Sequence, residues 1–399
     1  MAELDSFDVA VIGGGPAGAT AAEDLARAGY HVLMLDKAGR IKPCGGAIPP
    51  RLIQDFKIPG HLLCARINSA QMVAPSDKRV DMPIEGGFVG MVNREVFDEF
   101  LRERAAEAGA EWRKGTFERL DRDDDGTAII RYIPKGENEQ ESVRARAVIG
   151  ADGARSAVAR QTVPNADKVP CVFAYHEIIR APKGASAIYD GRRCDVYYQG
   201  RLSPDFYAWV FPHGDTASIG TGSANKGFSL RQSVSRLREA AGLAGAELVR
   251  HEGAPIPLKP LKKWDNGRDV VLAGDAAGIV APASGEGIYY AMVGGRRAAE
   301  AVGEFLETAD ARVLGLARKR FMKEHGRVFW ILGIMQHFWY RNDKRRERFV
   351  QICEDKDVQK LTWDAYMNKR LVRKKPMAHV RIFFKDLAHL FGIASVKSS

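Results

Sequence analysis

Three glycines, Gly13, Gly15 and Gly18, stand in the spacing G-x-G-x-x-G between a short apolar run and a helical one. The first allows a tight turn, the second lets backbone approach a pyrophosphate, and the third lets the helix pack close to the strand. Pro16 and Ala17 open the helix, so its first N–H groups and positive dipole end face the same phosphate. About twenty residues on, Asp36 offers a carboxylate that can accept both hydroxyls of an adenosine ribose. The same charge opposes a 2′-phosphate there. The ligand is therefore FAD or NAD, not NADP.

Further candidates recur along the chain. Lys37 begins the loop KAGRIKPCGGAIPP, which is too rich in glycine and proline for a helix or a central strand. Within it, Cys44 reads either as a small buried hydrophobe or as a functional thiol. Gly45, Gly46 and Ala47 would let backbone approach a flat cofactor beside it. Arg94 lies in the first turn of a helix, where a cation opposes the dipole. It reads as a solvated side chain, or as a contact to cofactor or a neighbouring carboxylate. Asp152 and Gly153 follow a buried strand, as do Gly274 and Asp275, and strand carboxyl ends are where ligands bind. Gly285, Gly287 and Ile288 then lead into a small-residue helix whose start faces phosphate or ribityl oxygens. In a strand, Tyr207, Trp209 and Phe211 share one face, either as an aromatic core or as the wall of a site for a large hydrophobic substrate.

The elements that position these residues follow from hydrophobic period. Residues 7–12 and 30–35 read as buried parallel strands flanking a helix over 16–28. Residues 93–108 form an amphipathic helix with Val96, Phe97, Phe100, Leu101 and Ala105 on its apolar side. A helix is expected over 230–244, strands over 145–150 and 270–272, and a second sheet from 170 to 222. The fold class is α/β, becoming α+β in the second domain. A Rossmann-like FAD-binding domain is expected from residues 1–64, 91–165 and 262–310. Residues 65–90 and 166–261 form a mixed β-sheet substrate domain, and 311–399 a basic helical region.

Composition is that of an ordinary globular chain of 399 residues, 45% hydrophobic and 28% charged. The acidic start MAELDSFD lacks the features of a secretory signal, and no apolar run reaches the length of a membrane span. A cytoplasmic location is expected. Five scattered cysteines suggest neither a disulfide framework nor a zinc site. The net charge of +10 is uneven: from residue 311 on, 21 Lys and Arg stand against 8 Asp and Glu. The aromatic run over 328–340, with NKRLVRKK and RIFFKDLAHLF beyond it, reads as a core helix or as a surface that lies on an anionic membrane. Nucleic acid is disfavoured, since no binding motif accompanies the charge.

Together, the glycine unit, the Asp152-Gly153 turn and the Gly274-Asp275 strand end resemble the p-hydroxybenzoate hydroxylase class, in which all three touch one FAD. Within that class the chain is similar, end to end, to the geranylgeranyl reductases. KPCGGAIPPR matches their Cys-Gly-Gly loop and YAWVFP their Y-x-W-x-F-P substrate motif; purple-bacterial members of the bacteriochlorophyll pathway are nearest in pattern. Many relatives have lysine after F-P, where this chain has His213. The resemblance implies FAD as cofactor, NADPH as reductant, and reduction of the geranylgeranyl chain of bacteriochlorophyll(ide) a to phytyl, peripheral to the photosynthetic membrane. Cys44 is then the candidate to contact the flavin and to serve as, or relay to, the acid. Tyr207, Trp209 and Phe211 would line the prenyl channel, and Tyr207 could assist through its hydroxyl. Alternatives are a related FAD monooxygenase, a reductase of another prenyl lipid such as geranylgeranyl diphosphate, and a non-catalytic flavoprotein docked on a membrane assembly.

Overall fold

The computed structural model describes residues 4–369, apart from 38, 40 and 183–187. β1 (Ser6–Ile12) runs into the glycine turn, and α1 (Pro16–Arg27) starts with Gly15 as N-cap and Pro16 in its first turn, where proline's missing N–H costs nothing. Gly29, at φ +90°, ends the helix and returns the chain to β2 (Val32–Asp36). The proline-rich loop follows, carrying β3 (Ala47–Ile48) and α2 (Pro50–Asp55).

The excursion expected over 65–90 divides between two sheets. β4 (Leu63–Ile67) and β7 (Val89–Val92) pair with β3 in a small three-stranded sheet, whereas β5 (Ser69–Val73) and β6 (Arg79–Pro83) join the large second sheet. α3 (Arg94–Glu107) is capped by the Asn93 side chain, and Phe97, Leu101 and Ala105 are its buried apolar row. Val96 falls off that row and is 55% exposed. The row beside it, Arg94, Asp98 and Arg102, is charged and nonetheless buried.

β8 (Glu111–Arg122), β9 (Ala128–Pro134) and β10 (Glu141–Gly150) complete the first sheet with β16 (Val270–Leu272). Its parallel part runs β8-β2-β1-β10-β16, and β9 pairs antiparallel with β8 and β10. This is a doubly wound order, whose ligand crevice opens between the central strands at their carboxyl ends.

After α4 (Ala157–Thr162), the second sheet takes β11 (Cys171–Arg180), β12 (Arg193–Tyr197), β13 (Ala208–His213) and β14 (Thr216–Ser223). Its seven strands run in the order β15 (Leu248–Pro257), β11, β14, β13, β12, β5, β6. α5 (Leu230–Ala240) stops short of the expected 244, because Gly242 turns the chain at φ +68°. β15 (Leu248–Pro257) is a strand that its Gly253 and two prolines hide from an alternation reading.

α6 (Ile288–Thr308) crosses α1 so closely that a Cβ on Gly295 would lie 2.1 Å from the Ala17 carbonyl oxygen. Beyond it come α7 (Leu316–Trp339), α8 (Asp343–Ile352) and α9 (Lys356–Asn368). The aromatic run is the second half of α7, and both of its expected roles have residues: Phe329 and Trp339 are buried, while Trp330 is 69% exposed. Among the described residues, no helix is long and apolar enough to cross a membrane. The basic segment from residue 370 and RIFFKDLAHLF lie outside the described residues.

Because backbone meets backbone at Gly295, Gly295→Val should wedge α6 from α1. A loss of about 1–3 kcal/mol of stability is expected, with weakened flavin retention. A thermal midpoint and flavin absorbance equal to wild type would show the crossing to be compliant.

Candidate active site

Two helices begin at one cleft. α1 and α6 have glycine N-caps, Gly15 and Gly287, with no side-chain acceptor for their first N–H groups. Such groups lack partners inside a helix and suit an anion. The larger cavity beside them holds about 810 Å³ and is lined by Gly13, Gly15, Pro16, Ala17, Asp36, Lys37, Arg94, Asp152, Gly153, Gly274 and Asp275; α6 reaches it through Ala291, while its start, Gly287 and Ile288, lines the adjoining smaller pocket together with Pro16. A Cβ on Gly15 would meet no protein atom within 4 Å, so backbone there is bare to whatever lies in the cleft. Gly18 lies off the cavity. A Cβ on it would sit 1.7 Å from the Gly13 carbonyl oxygen, so its contribution is the close seating of helix on turn.

The acids of the cleft are all engaged. Gly14 N–H donates to Asp36 Oδ2 at 2.8 Å, and Arg102 stands 3.9 Å from Oδ1. Asp152 turns its carboxylate into the start of α4, where it accepts from Ser156 Oγ and from Ala157 N at 2.6 Å. Burial nevertheless raises its pKa above the usual carboxylate value. Asp275 pairs with Lys42. At these two strand ends, therefore, backbone faces the cleft while the carboxylates brace protein.

A smaller pocket adjoins the cleft and shares Pro16, Lys42, Arg94, Asp275 and Ala291 with it. Cys44, Gly45, Gly285, Gly287 and Ile288 line this pocket opposite Tyr207, Trp209 and Phe211. The aromatic row runs with ring centroids 5.9 Å apart from Tyr207 to Trp209 and 6.2 Å from Trp209 to Phe211. Tyr207 precedes β13 and stacks on Phe206 at 4.3 Å. Its hydroxyl donates to the Ser284 carbonyl at 2.6 Å, and burial, then Tyr198 and Cys44, push its pKa well above the usual phenol value. Gly46 and Ala47 do not line the pocket: Gly46, at φ +72°, packs under Val92 and His213, and Ala47 opens β3.

Arg94 is not the solvated side chain of the first alternative: it lines both cavities and pairs with a neighbouring carboxylate. It makes a bidentate pair with Asp98 at 2.7 and 2.6 Å, both side chains buried. Burial opposes its charge, but Asp98 and then Cys44 outweigh burial and raise its pKa.

Several neighbours complete the site; His213 was noted in the sequence only as a departure from lysine, and the others escaped that reading. His213 Nε2 lies 3.0 Å from the Gly45 carbonyl oxygen and holds the cysteine loop. His176 contacts Ser218 Oγ at 2.9 Å, and Ser218 Oγ accepts from Trp209 Nε1 at 3.1 Å. Asp98 and Arg102 were foreshadowed by charge at helical spacing from Arg94, whereas His176 and Lys42 carried no local signal.

A family model for an FAD binding domain matches residues 63–320, and one for an NAD(P)-binding Rossmann-like domain matches residues 11–63. A geranylgeranyl diphosphate reductase of Rhodobacter capsulatus is 58% identical over 387 residues, covering 97% of this chain and 98% of that protein. The chain belongs to the geranylgeranyl reductase family. This reductase is also 38% identical to a geranylgeranyl diphosphate reductase of Synechocystis, over 96% of its own length and 97% of the relative's. A geranylgeranyl bacteriochlorophyll reductase-like protein from Thermoplasma acidophilum shares its fold, with a TM-score of 0.80 at 24% identity over 94% of this chain and 99% of the other. A flavin-dependent brominase has the same fold at a TM-score of 0.73 and 16% identity, covering 96% and 100%. The reductase is accordingly an FAD-dependent oxidoreductase, and its bare glycine backbone and two uncapped helix starts fit that cofactor.

The carbonyl partner, an acceptor only, assigns a proton to Nε2 of His213. Burial lowers its pKa below the usual histidine value. As pH falls below about 6.5, the unfolded chain therefore takes up a proton before the folded one, and the stability His213 contributes is lost. His213→Gln should flatten the fall in thermal midpoint between about pH 7 and 5; an unchanged profile would remove His213 as its source.

Proposed function

We propose that this reductase saturates the three isolated double bonds of a geranylgeranyl chain carried by bacteriochlorophyll(ide) a, sparing the allylic one, with NADPH as reductant. In this reading the parallel sheet carries FAD and the seven-stranded sheet the prenyl chain. The observation that carries it is the meeting of Cys44 with Tyr207, Trp209 and Phe211 in a pocket continuous with the FAD cleft. The relatives' names support its geranylgeranyl part. They share the geranylgeranyl chain and differ in its head, a diphosphate in Rhodobacter capsulatus and a glycerophospholipid in Methanocaldococcus jannaschii.

An isolated alkene accepts hydride poorly, so one carbon must receive a proton as the other receives hydride. FAD, when bound, supplies hydride chemistry that no side chain can. The protein's part is to exclude water, align the chain and hold the proton. Cys44 Sγ accepts from Gly46 N–H at 3.3 Å, and its own hydrogen can turn to the pocket. Once that hydrogen has left, Gly46 N–H and Arg94 remain to stabilise the sulfur's charge. Asp36 disfavours a 2′-phosphate at the adenosine end, so NADPH visits from the other end of the cofactor.

The name of the Rhodobacter relative favours a second substrate, free geranylgeranyl diphosphate. Incubating the FAD-loaded protein with NADPH and each prenyl compound separately, and weighing the products, tests both. Successive gains of two hydrogens on the pigment ester support the first, and gains on the diphosphate alone support the second. No gain on either overturns the activity. Cys44→Ala is expected to keep its flavin absorbance and to lose turnover by about 10²–10⁴-fold, the range for a positioned acid; wild-type turnover would remove the thiol from the mechanism.

The membrane reading rests on α7. Its exposed stripe runs Lys319, Lys323, Arg327, Trp330 and Ile334, basic at one end and apolar at the other, as suits an anionic bilayer surface. Trp330→Glu should release the protein from anionic liposomes at low salt, read by co-sedimentation. Equal sedimentation of wild type and variant would locate the contact elsewhere or nowhere.

A further inference from the structure

The pocket between Cys44 and the aromatic row holds about 80 Å³. Pockets that bury a drug-sized ligand hold roughly 300–1,000 Å³, so a geranylgeranyl chain needs room that the closed pocket lacks. Behind Phe211 lies a cluster of Ile67, Val89, Met91 and Cys194, apolar apart from one thiol. α9 covers it: Trp363, Tyr366 and Met367 pack on this cluster, and Trp363 also packs on the one that includes Tyr207.

α9 is a strap rather than a core helix, since none of its thirteen residues is buried. Its anchor is the residue after it. The Lys369 side chain is 3% exposed and pairs with Glu286, which sits between the pocket-lining Gly285 and Gly287. The ammonium also lies 3.8 Å from the centroid of the Tyr366 ring. The closed arrangement is incompletely satisfied. Glu286 Oε1 and Trp363 Nε1 are both buried without a hydrogen-bond partner. Stranded polar atoms and a desolvated ion pair penalise closure, and each would regain water if the strap lifted.

We propose that Ile67, Val89, Met91 and Cys194 form a subsite for the distal part of the prenyl chain, which α9 covers until substrate displaces it and opens the Glu286–Lys369 pair. The inference rests on the prenyl reading above. Substrate then pays for opening with its own apolar contacts, and the apparent affinity is reduced by the fraction of molecules that are closed.

Hydrogen–deuterium exchange across residues 356–369 tests this in the full-length, FAD-loaded protein, with geranylgeranyl diphosphate as the long probe and geranyl diphosphate as the short one. The long probe should speed exchange in α9 severalfold and the short one should leave it unchanged. Glu286→Gln keeps the size of the side chain and removes its charge. It should speed exchange without any probe and lower KM for the long substrate severalfold more than kcat changes. Exchange in wild-type α9 that stays level or slows with the long probe overturns the subsite, whatever the variant does. Failure of the prenyl reading is distinct: the probes would gain no hydrogen on incubation with NADPH.

Discussion

An α-helix leaves its first N–H groups without partners, and here α1 and α6 do so toward one cleft with glycine caps that cannot fill the need. Two such ends converge only if the helices nearly touch, and they do so where Gly295 meets Ala17. The doubly wound strand order brings the glycine turn after β1 beside Ala151 at the end of β10. That contact is so tight that a Cβ on Gly13 would lie 2.4 Å from the Ala151 carbonyl oxygen. Glycine is required at these two positions because protein fills the place of a Cβ, and the close packing leaves bare backbone for a pyrophosphate at Gly15.

A cleft built for an anion cannot carry bare carboxylates. Asp36 accepts from Gly14, Asp152 from α4, and Asp275 pairs with Lys42. Each acid is thereby compensated by protein before a cofactor's charge arrives. Arg94 and Asp98 follow the same logic at greater depth. Removing one partner of a buried pair costs about 3–5 kcal/mol, so the pair is costly to break, and it fixes a cation beside the thiol in a place where water is scarce.

The nucleotide-binding half was legible because its rules are local. Glycine spacing, a strand, a helix and an acid at the right interval define β1, α1 and β2 without knowledge of anything distant. Cys44 and the aromatic row were legible only through resemblance, since a cysteine between glycines and alternate aromatics each have an ordinary structural meaning. What the sequence hid is long-range. Strand β15 carries glycine and proline where alternation should appear. Residues 65–90 look like one excursion yet serve two sheets, because β4 and β7 pair with each other while β5 takes its register from β12, far along the chain. Lys42 and His176 become meaningful only beside Asp275 and Trp209. At Asp152 the sequence showed the turn at the cleft but not that the carboxylate accepts from the start of α4.

Under the proposed function, the aromatic row is the surface that would meet hydrocarbon. Tyr207 and Trp209 each carry one polar tip, and both tips are tied outside the row, the hydroxyl to the Ser284 carbonyl and the indole N–H to Ser218. Ser218 passes the constraint to His176 at 2.9 Å, so the indole is fixed from behind. The rings therefore face the pocket with carbon and with their orientation set. An acceptor on a substrate would find no free donor on these rings, and leaving it unpaired would cost about 1–3 kcal/mol. In the proposed function the row would discriminate by withholding donors, which fits a hydrocarbon chain that has no acceptor to offer them.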